Sequence, residues 1–192
     1  MVSSSSADHN PQIKGYIMKI GVKWNKELSK DFPERPLSTD VDIVKSAAAM
    51  TARDACAHYG VSDKHEDDLY QSLVRCGDPF MSGYELAKEI ESDTGWAGID
   101  TSFIEALDNY SDNLDAAHQQ ACKKWAKKFS VNPSLKEGDV VEFDRRIKRV
   151  TGVIHHLYLY EGRVATYSIK EDDSKDDNRF LILPFEEVFL KT

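Results

Sequence analysis

The residue types best suited to chemistry in this sequence are His118 and Cys122, which lie four positions apart. In a helix that spacing places both side chains on one face, where they could be two ligands of a zinc ion. A structural zinc site needs four ligands, and the others would have to come from scattered residues such as Cys56, His58 or Cys76, which form no compact motif. The sequence therefore predicts neither a metal site nor a cofactor.

A cysteine nucleophile is a second interpretation of the same side chains. Such a thiol needs a histidine base and surroundings that lower its pKa, usually a helix N-terminus or nearby cations. The cysteines instead fall in predicted helix interiors or C-terminal turns, and Cys56 and Cys76 lie in an acidic stretch that would raise a thiol pKa. The chain also contains no glycine-rich phosphate loop, Gly-x-Ser-x-Gly motif or His-Glu-x-x-His motif. We therefore predict no catalytic residue, and an enzyme of unidentified class is the third alternative for function.

Two further groups of residues that contain histidine are predicted not to bind a metal ion. The run His-Glu-Asp-Asp at residues 65–68 spans one predicted helical turn, so its side chains point in different directions and are expected to be solvated. His155 and His156 are neighbours on a predicted strand, so their side chains are expected to face opposite sides. The three cysteines are an odd number without a Cys-x-x-Cys pair, which favours free thiols and a reducing, cytoplasmic location.

The charge pattern is dominated by one acidic stretch. Residues 54–115 carry fifteen Asp or Glu residues against three Lys or Arg residues. Such a local excess of carboxylates repels nucleic acid and attracts a basic surface. We therefore expect a non-enzymatic protein-interaction module that docks on a basic partner, an inhibitor or immunity-like role being one version, and a solvated face without a partner is the alternative. The residues predicted to bind the partner are Glu66, Asp67, Asp68, Glu85, Glu89, Glu91 and Asp93.

A short basic stretch suggests a different function. Arg145, Arg146, Lys148 and Arg149 fall in the loop after the first strand of the C-terminal region, where they could bind phosphates. The candidates for stacking on bases are Tyr158, Tyr160 and Tyr167. Nucleic-acid binding is therefore the alternative function. The same charges are also typical of a hairpin that keeps an edge strand soluble.

The N-terminal two thirds of the chain predict a helical domain. Residues 1–11 are polar and serine-rich and are expected to be a flexible tail. Residues 12–131 are expected to form an acidic, mainly helical domain that opens with one strand, because apolar residues alternate from residue 16 to residue 24. Four or five helices follow, and the capping box Ser82-Gly83-Tyr84-Glu85 marks one start. No run approaches the roughly 18 apolar residues that a membrane helix requires.

In residues 135–192 the apolar residues follow the pattern of short strands, and this pattern predicts five of them. Five short strands could cover their faces by closing into a small barrel. The stretches Leu135–Phe143, Thr151–Ile154 and Pro184–Val188 resemble the SH3-like small barrels, including those called KOW-like. The resemblance covers only the C-terminal third and implies shape rather than activity, because protein binders, nucleic-acid binders and scaffolds share it. The predicted fold class is therefore α+β, a helical domain followed by a five-stranded SH3-like barrel.

Overall fold

The computed structural model describes residues 34–59, 63–95, 100–145, 148–158, 163–172 and 179–191. The predicted tail and the predicted leading strand lie outside the described residues. The described residues contain five α-helices followed by five β-strands, so the α+β fold class is confirmed. The helices are α1 (Val41–Tyr59), α2 (Asp63–Cys76), α3 (Gly83–Thr94), α4 (Thr101–Asp108) and α5 (Tyr110–Lys128).

The start of α3 follows the capping box read from the sequence. The Ser82 amide donates a hydrogen bond to the Glu85 carboxylate over 2.8 Å, and the Glu85 amide donates one back to the Ser82 hydroxyl. These bonds satisfy amides that a helix N-terminus leaves without helical partners. Gly83 lets this end of α3 approach α4 closely, because a Cβ there would lie 2.8 Å from Asp108 Oδ1. The Gly83 amide instead donates to that oxygen over 2.5 Å.

Small residues let α1 form the centre of the helical core. Four alanines recur on one face of α1, and all four are completely buried: Ala47, Ala48, Ala52 and Ala55. With no side chain beyond Cβ, they allow the backbones of α2, α4 and α5 to pack closely against α1. The larger side chains of this core come from the neighbouring helices and include Leu69, Leu73, Leu86, Ile90, Leu107 and Tyr110.

The strands form one antiparallel, curled sheet, a half-barrel in shape. They are β1 (Val140–Arg145), β2 (Lys148–Tyr158), β3 (Thr166–Glu171), β4 (Leu181–Pro184) and β5 (Val188–Leu190). Their order in the sheet is β4-β3-β2-β1-β5, so the chain meanders through four strands and β5 then returns to pair with β1. A single 3-10 turn, Phe185–Glu187, connects β4 to β5.

The last helix contributes to both hydrophobic cores. In its first half Tyr110, Leu114 and Ala117 are buried in the helical core, whereas Trp125, about two turns after Ala117, is buried in the core of the sheet. Because a helix is a rigid rod with 1.5 Å rise per residue, α5 fixes where the sheet lies relative to the other helices. The sheet core around Trp125 consists of Val141, Phe143, Ile154, Ala165, Tyr167, Ile169, Phe185 and Val188.

Candidate functional site

The acidic residues predicted to bind a partner lie on α2 and α3, on the sides of these helices that face away from the core. α2 buries Leu69, Ser72 and Leu73, and α3 buries Leu86, Ala87 and Ile90. The carboxylates occupy the remaining positions, and those classed as exposed are Asp67, Glu85, Glu89 and Asp93. Glu66, Asp68 and Glu91 are half-buried. The helical periodicity therefore turns most of this charge toward solvent.

The groove between α2 and α3 brings two of these acids together. Asp68, Arg75 and Asp93 line a groove of about 330 Å³. Arg75 forms an ion pair with Asp93, and the Ser72 hydroxyl donates a hydrogen bond to the same carboxylate over 3.1 Å. The Arg75 hydrogen bond holds the pKa of Asp93 below its usual value. Asp93 is therefore a positioned, partly neutralised carboxylate rather than a free one.

The other predicted acids are spread over neighbouring surfaces. Glu66 and Asp67 line a second groove of about 350 Å³, together with Ala49 of α1 and Tyr70. Glu91 lies two residues after Glu89, about 200° further around α3 at 3.6 residues per turn. Glu85 accepts hydrogen bonds from Ser82, which lower its pKa. The structure thus places the predicted residues on two adjacent helices and in two grooves, rather than in one pocket.

Most of the predicted acids form no ion pair in the described part of the chain. Among the described residues, Arg75 with Asp93 is the one ion pair within 4.0 Å that involves any of the seven. Lys88 lies on the same helix as four of them and its charge interacts with Glu91, but its ammonium group is positioned over the ring of Tyr84, 5.1 Å from the centroid. The described residues therefore leave the negative charge of α2 and α3 largely uncompensated.

The basic stretch of the sheet has a different environment. Arg145 forms an ion pair with Glu171. Arg149 Nε lies 3.6 Å from a carboxylate oxygen of Asp144 and 3.8 Å from one of Glu142, and its guanidinium group is 4.7 Å from the ring centroid of Phe189. Lys148 is exposed, and Arg146 lies outside the described residues. Two of the four predicted phosphate ligands are thus paired within the sheet.

Neither of the two described tyrosines predicted to stack on bases, Tyr158 and Tyr167, is classed as exposed. Tyr167 is only 1% exposed and belongs to the sheet core, so this prediction was wrong for Tyr167. Its hydroxyl accepts a hydrogen bond from the Leu135 amide over 2.9 Å, which explains why a polar aromatic residue is buried there. Tyr158 is half-buried beside His156, and Tyr160 lies outside the described residues.

The two adjacent histidines of β2 depart from simple strand alternation. The pairing of β2 with β3 shifts between Ile154 and His156, an irregularity of the β-bulge type. Because a bulge interrupts the alternation of side chains, His155 and His156 are brought together, with their Nδ1 atoms 2.6 Å apart. The expectation that they face opposite sides was therefore wrong. They remain two ligands, and no group of three or more His, Cys, Asp or Glu residues in the described segments could hold a metal ion.

His118 and Cys122 meet at a cleft of about 200 Å³ between α5 and the sheet. Cys122 Sγ lies 3.4 Å from His118 Nε2, and the same nitrogen lies 2.9 Å from the carbonyl oxygen of Pro36. Because a carbonyl oxygen only accepts hydrogen bonds, His118 Nε2 carries a hydrogen and donates a hydrogen bond to the carbonyl oxygen of Pro36. That nitrogen cannot also take a proton from the Cys122 thiol in this arrangement. The pair therefore holds the segment before α1 in place rather than forming a nucleophile with its base.

Arg35, next to Pro36, is the most highly connected cation among the described residues. Its guanidinium group bonds both carboxylate oxygens of Glu186, at 2.5 and 3.1 Å, and donates to the carbonyl oxygens of Val164 and Ala165, each over 2.9 Å. It also lies 5.0 Å from the ring centroid of Trp125. Burial lowers the pKa of Arg35, but the hydrogen bond and the charge of Glu186 outweigh this and raise it overall. Arg35 therefore joins the segment before α1, α5 and the sheet.

Sequence reasoning missed two residues that stand out in the structure. Arg35 gave no signal, because its partner Glu186 is 151 positions away in the chain. Phe80 is 94% exposed in the loop between α2 and α3, which is unusual for an aromatic side chain. Its neighbours offered a signal, since an apolar residue between the turn-forming Asp78-Pro79 and the capping box cannot enter either helix.

No family model, curated protein or solved structure matches this chain. No helix in the described part of the chain is both long and apolar enough to cross a membrane.

Proposed function

We propose that this protein is a non-enzymatic interaction module whose acidic helices α2 and α3 dock on a basic protein. The observation that carries the proposal is the contrast in charge pairing among the described residues. On the helices, exposed carboxylates such as Asp67 and Glu89 have no ion pair among the described residues, whereas Arg145 and Arg149 of the sheet are paired with neighbouring carboxylates. The charge that α2 and α3 offer to a partner is therefore negative.

An unpaired surface charge is well suited to selecting a partner. Carboxylates attract a basic surface over roughly 8 Å at physiological ionic strength and accelerate its association, while like-charged surfaces are rejected. Carboxylates can also take the positions of nucleic-acid phosphates on a basic protein. An inhibitor or immunity-like role against a nucleic-acid-handling protein is thus one specific form of this function.

The sheet serves in this proposal as a rigid support or a second contact. The strand order β4-β3-β2-β1-β5 and the 3-10 turn before β5 support the finer assignment to SH3-like, KOW-like barrels. We also propose a cytoplasmic location, which is supported by the three free thiols Cys56, Cys76 and Cys122.

Nucleic-acid binding remains the competing function. It would depend on Lys148 and Arg146, on arginines released from their ion pairs, and on the exposed lysines in the last part of α5, which are Lys123, Lys124, Lys127 and Lys128. Releasing Arg145 from Glu171 costs part of the binding free energy, because the carboxylate would then lose its partner. This cost favours the acidic docking function over the alternative.

The test is a pair of titrations followed by fluorescence anisotropy, one with a labelled oligolysine peptide and one with a labelled single-stranded oligonucleotide. We expect the peptide to bind at low salt and to weaken as salt is raised, because the attraction is screened. We expect no binding of the oligonucleotide. Oligonucleotide binding that is lost on replacing Arg145 and Arg149 with alanine would establish the competing function instead.

Matched charge reversals locate the peptide on the helices. Asp67→Lys with Glu89→Lys should weaken oligolysine binding about tenfold, given roughly 0.5–1 kcal/mol for each exposed charge interaction. Glu137→Lys with Asp172→Lys changes the net charge equally at exposed positions around the sheet and should leave most of the affinity. Equal losses in both variants would mean that only the net charge of the molecule matters, and the docking surface would be rejected.

A further inference from the structure

The loop between α2 and α3 holds a large apolar side chain out in solvent. Phe80 is 94% exposed. Its amide donates a hydrogen bond to Asp78 Oδ1 over 2.9 Å, and the Met81 amide donates to the Asp78 carbonyl over 3.1 Å. These bonds form a tight turn that leads directly into the capping box of α3. Phe80 is therefore presented on a hydrogen-bonded turn between two helices.

A second aromatic residue lies at the same end of α3. Tyr84, in the first turn of α3, is 54% exposed. The Lys88 ammonium group lies over its ring. Aromatic side chains that can be buried on binding are the commonest energetic centres of protein interfaces, particularly when a polar rim surrounds them. This end of α3 has that composition.

The rim around these aromatic residues is acidic. Asp78 caps the turn, Glu85 closes the capping box, and Asp108 accepts a hydrogen bond from the α3 N-terminus. Lys88, whose ammonium group lies over the ring of Tyr84, is a cation within this acidic rim. Glu85 and Glu89 lie four residues apart and so continue the negative charge as a row along α3, which is about 18 Å long at 1.5 Å per residue and ends beside the Arg75–Asp93 ion pair.

We propose that Phe80 and Tyr84 are the apolar anchor of the docking surface, and that the partner is a protein with an apolar pocket bordered by lysines or arginines. This inference rests on the proposed function, since the acidic row selects the basic border. The same negative charge disfavours a second copy of the chain, whose net charge is −8, and an anionic membrane surface. The anchor accounts for affinity, which charge alone supplies poorly.

The experiment compares two labelled peptides, oligolysine and the same oligolysine with a central leucine pair, against the full chain. Phe80→Ala should weaken the leucine-containing peptide about tenfold, because burial of a phenylalanine side chain is lost, and should leave plain oligolysine unchanged. Leu190→Ala is the matched control, since Leu190 is 53% exposed at the far end of the sheet, and it should change neither titration. Phe80→Ala is expected to fold normally because its side chain packs little in the free protein.

The outcomes separate the anchor from the function on which it rests. If Phe80→Ala affects both peptides equally or neither, the anchor is wrong while oligolysine binding still supports the acidic surface. If oligolysine does not bind wild-type protein at all, the proposed function fails instead. Sedimentation of wild type and Phe80→Ala completes the test, because a dimer that dissociates on this substitution would show that a second copy covers Phe80 and would overturn the basic partner.

Discussion

At the scale of single residues, the junction of the helices and the sheet depends on one guanidinium group. Arg35 satisfies both oxygens of Glu186, a carboxylate only 6% exposed, and two backbone carbonyls. A buried carboxylate without a partner is costly, so these two residues stabilise the fold only as a pair. Ala165, whose carbonyl oxygen accepts one of these hydrogen bonds, has a φ of 50°, a left-handed conformation that is sparsely populated for residues other than glycine.

Replacing Arg35 should therefore destabilise the whole fold. We expect Arg35→Ala to cost about 3 kcal/mol, because Glu186 stays buried and unpaired, and to lower the melting temperature by about 6–12 °C for a chain of this size. Arg53→Ala removes an arginine from an exposed position of α1 and should change little. Thermal unfolding followed by circular dichroism measures both. A wild-type melting temperature for Arg35→Ala would contradict the role assigned to the junction.

Replacing Tyr110 should have the opposite effect and raise the free energy of unfolding. Its hydroxyl is buried without a hydrogen-bond partner among the described residues, and burial raises its pKa to about 12. Tyr110→Phe should therefore stabilise the protein by about 1 kcal/mol in urea unfolding, since an unsatisfied buried group is removed. Tyr167→Phe is the matched control and should destabilise by a similar amount, because it leaves the Leu135 amide unpaired. Destabilisation in both variants would mean that the Tyr110 hydroxyl has a partner.

At the scale of elements, α5 connects the two cores and also holds the segment before α1. His118 lies in the middle of α5 and donates to the Pro36 carbonyl. The hydrogen bond to Cys122 raises the pKa of His118 above its usual value, burial opposes this, and the hydrogen bond to Pro36 and the negative charge of Asp115 add to the increase. A histidine whose pKa is raised on folding stabilises the folded state while it is protonated.

The stability that His118 contributes should therefore depend on pH. It is fully present below the unfolded pKa of about 6.5 and is lost as the pH rises through the higher folded pKa. His118→Gln keeps a hydrogen-bond donor but cannot titrate, so it should destabilise the protein more at pH 5.5 than at pH 8.5, values roughly one and two units from that of free histidine. Urea unfolding at the two pH values measures the difference. An equal or larger difference at the higher pH would contradict this role.

The helices and strands could be predicted from the sequence where neighbouring residues determine them. The capping box of α3 and the change of period before β1 follow from neighbouring residues, and both agree with the structure. The bulge that brings His155 and His156 together arises from pairing with β3, and Tyr167 is buried because Trp125 of α5 and side chains of the other strands form a core around it. Such features depend on partners distant in sequence. The division into residues 12–131 and 135–192 stays a prediction, with Trp125 of the helical part buried in the sheet core.

At the scale of the whole molecule, the sheet differs from helices α2 and α3 in how many of its charged side chains form ion pairs. The sheet pairs Arg145 and Arg149 with its own carboxylates, whereas among the described residues most carboxylates of α2 and α3 form no ion pair. Composition alone predicted the excess of acidic residues, since local density follows directly from sequence. It could not predict that Asp93 is paired with Arg75, or that Phe80 lies exposed beside the acidic row, because both depend on how α2 and α3 pack.

The most direct test of the docking surface maps where a basic ligand touches the protein. A zero-length carbodiimide joins a carboxylate to an amine only when the two are in contact, so oligolysine can be coupled to the full chain and the modified residues identified by mass spectrometry. We predict coupling concentrated on Asp67, Asp68, Glu85, Glu89 and Glu91. Coupling spread evenly over the chain, or concentrated on exposed sheet carboxylates such as Glu137 and Asp172, would contradict the proposed function.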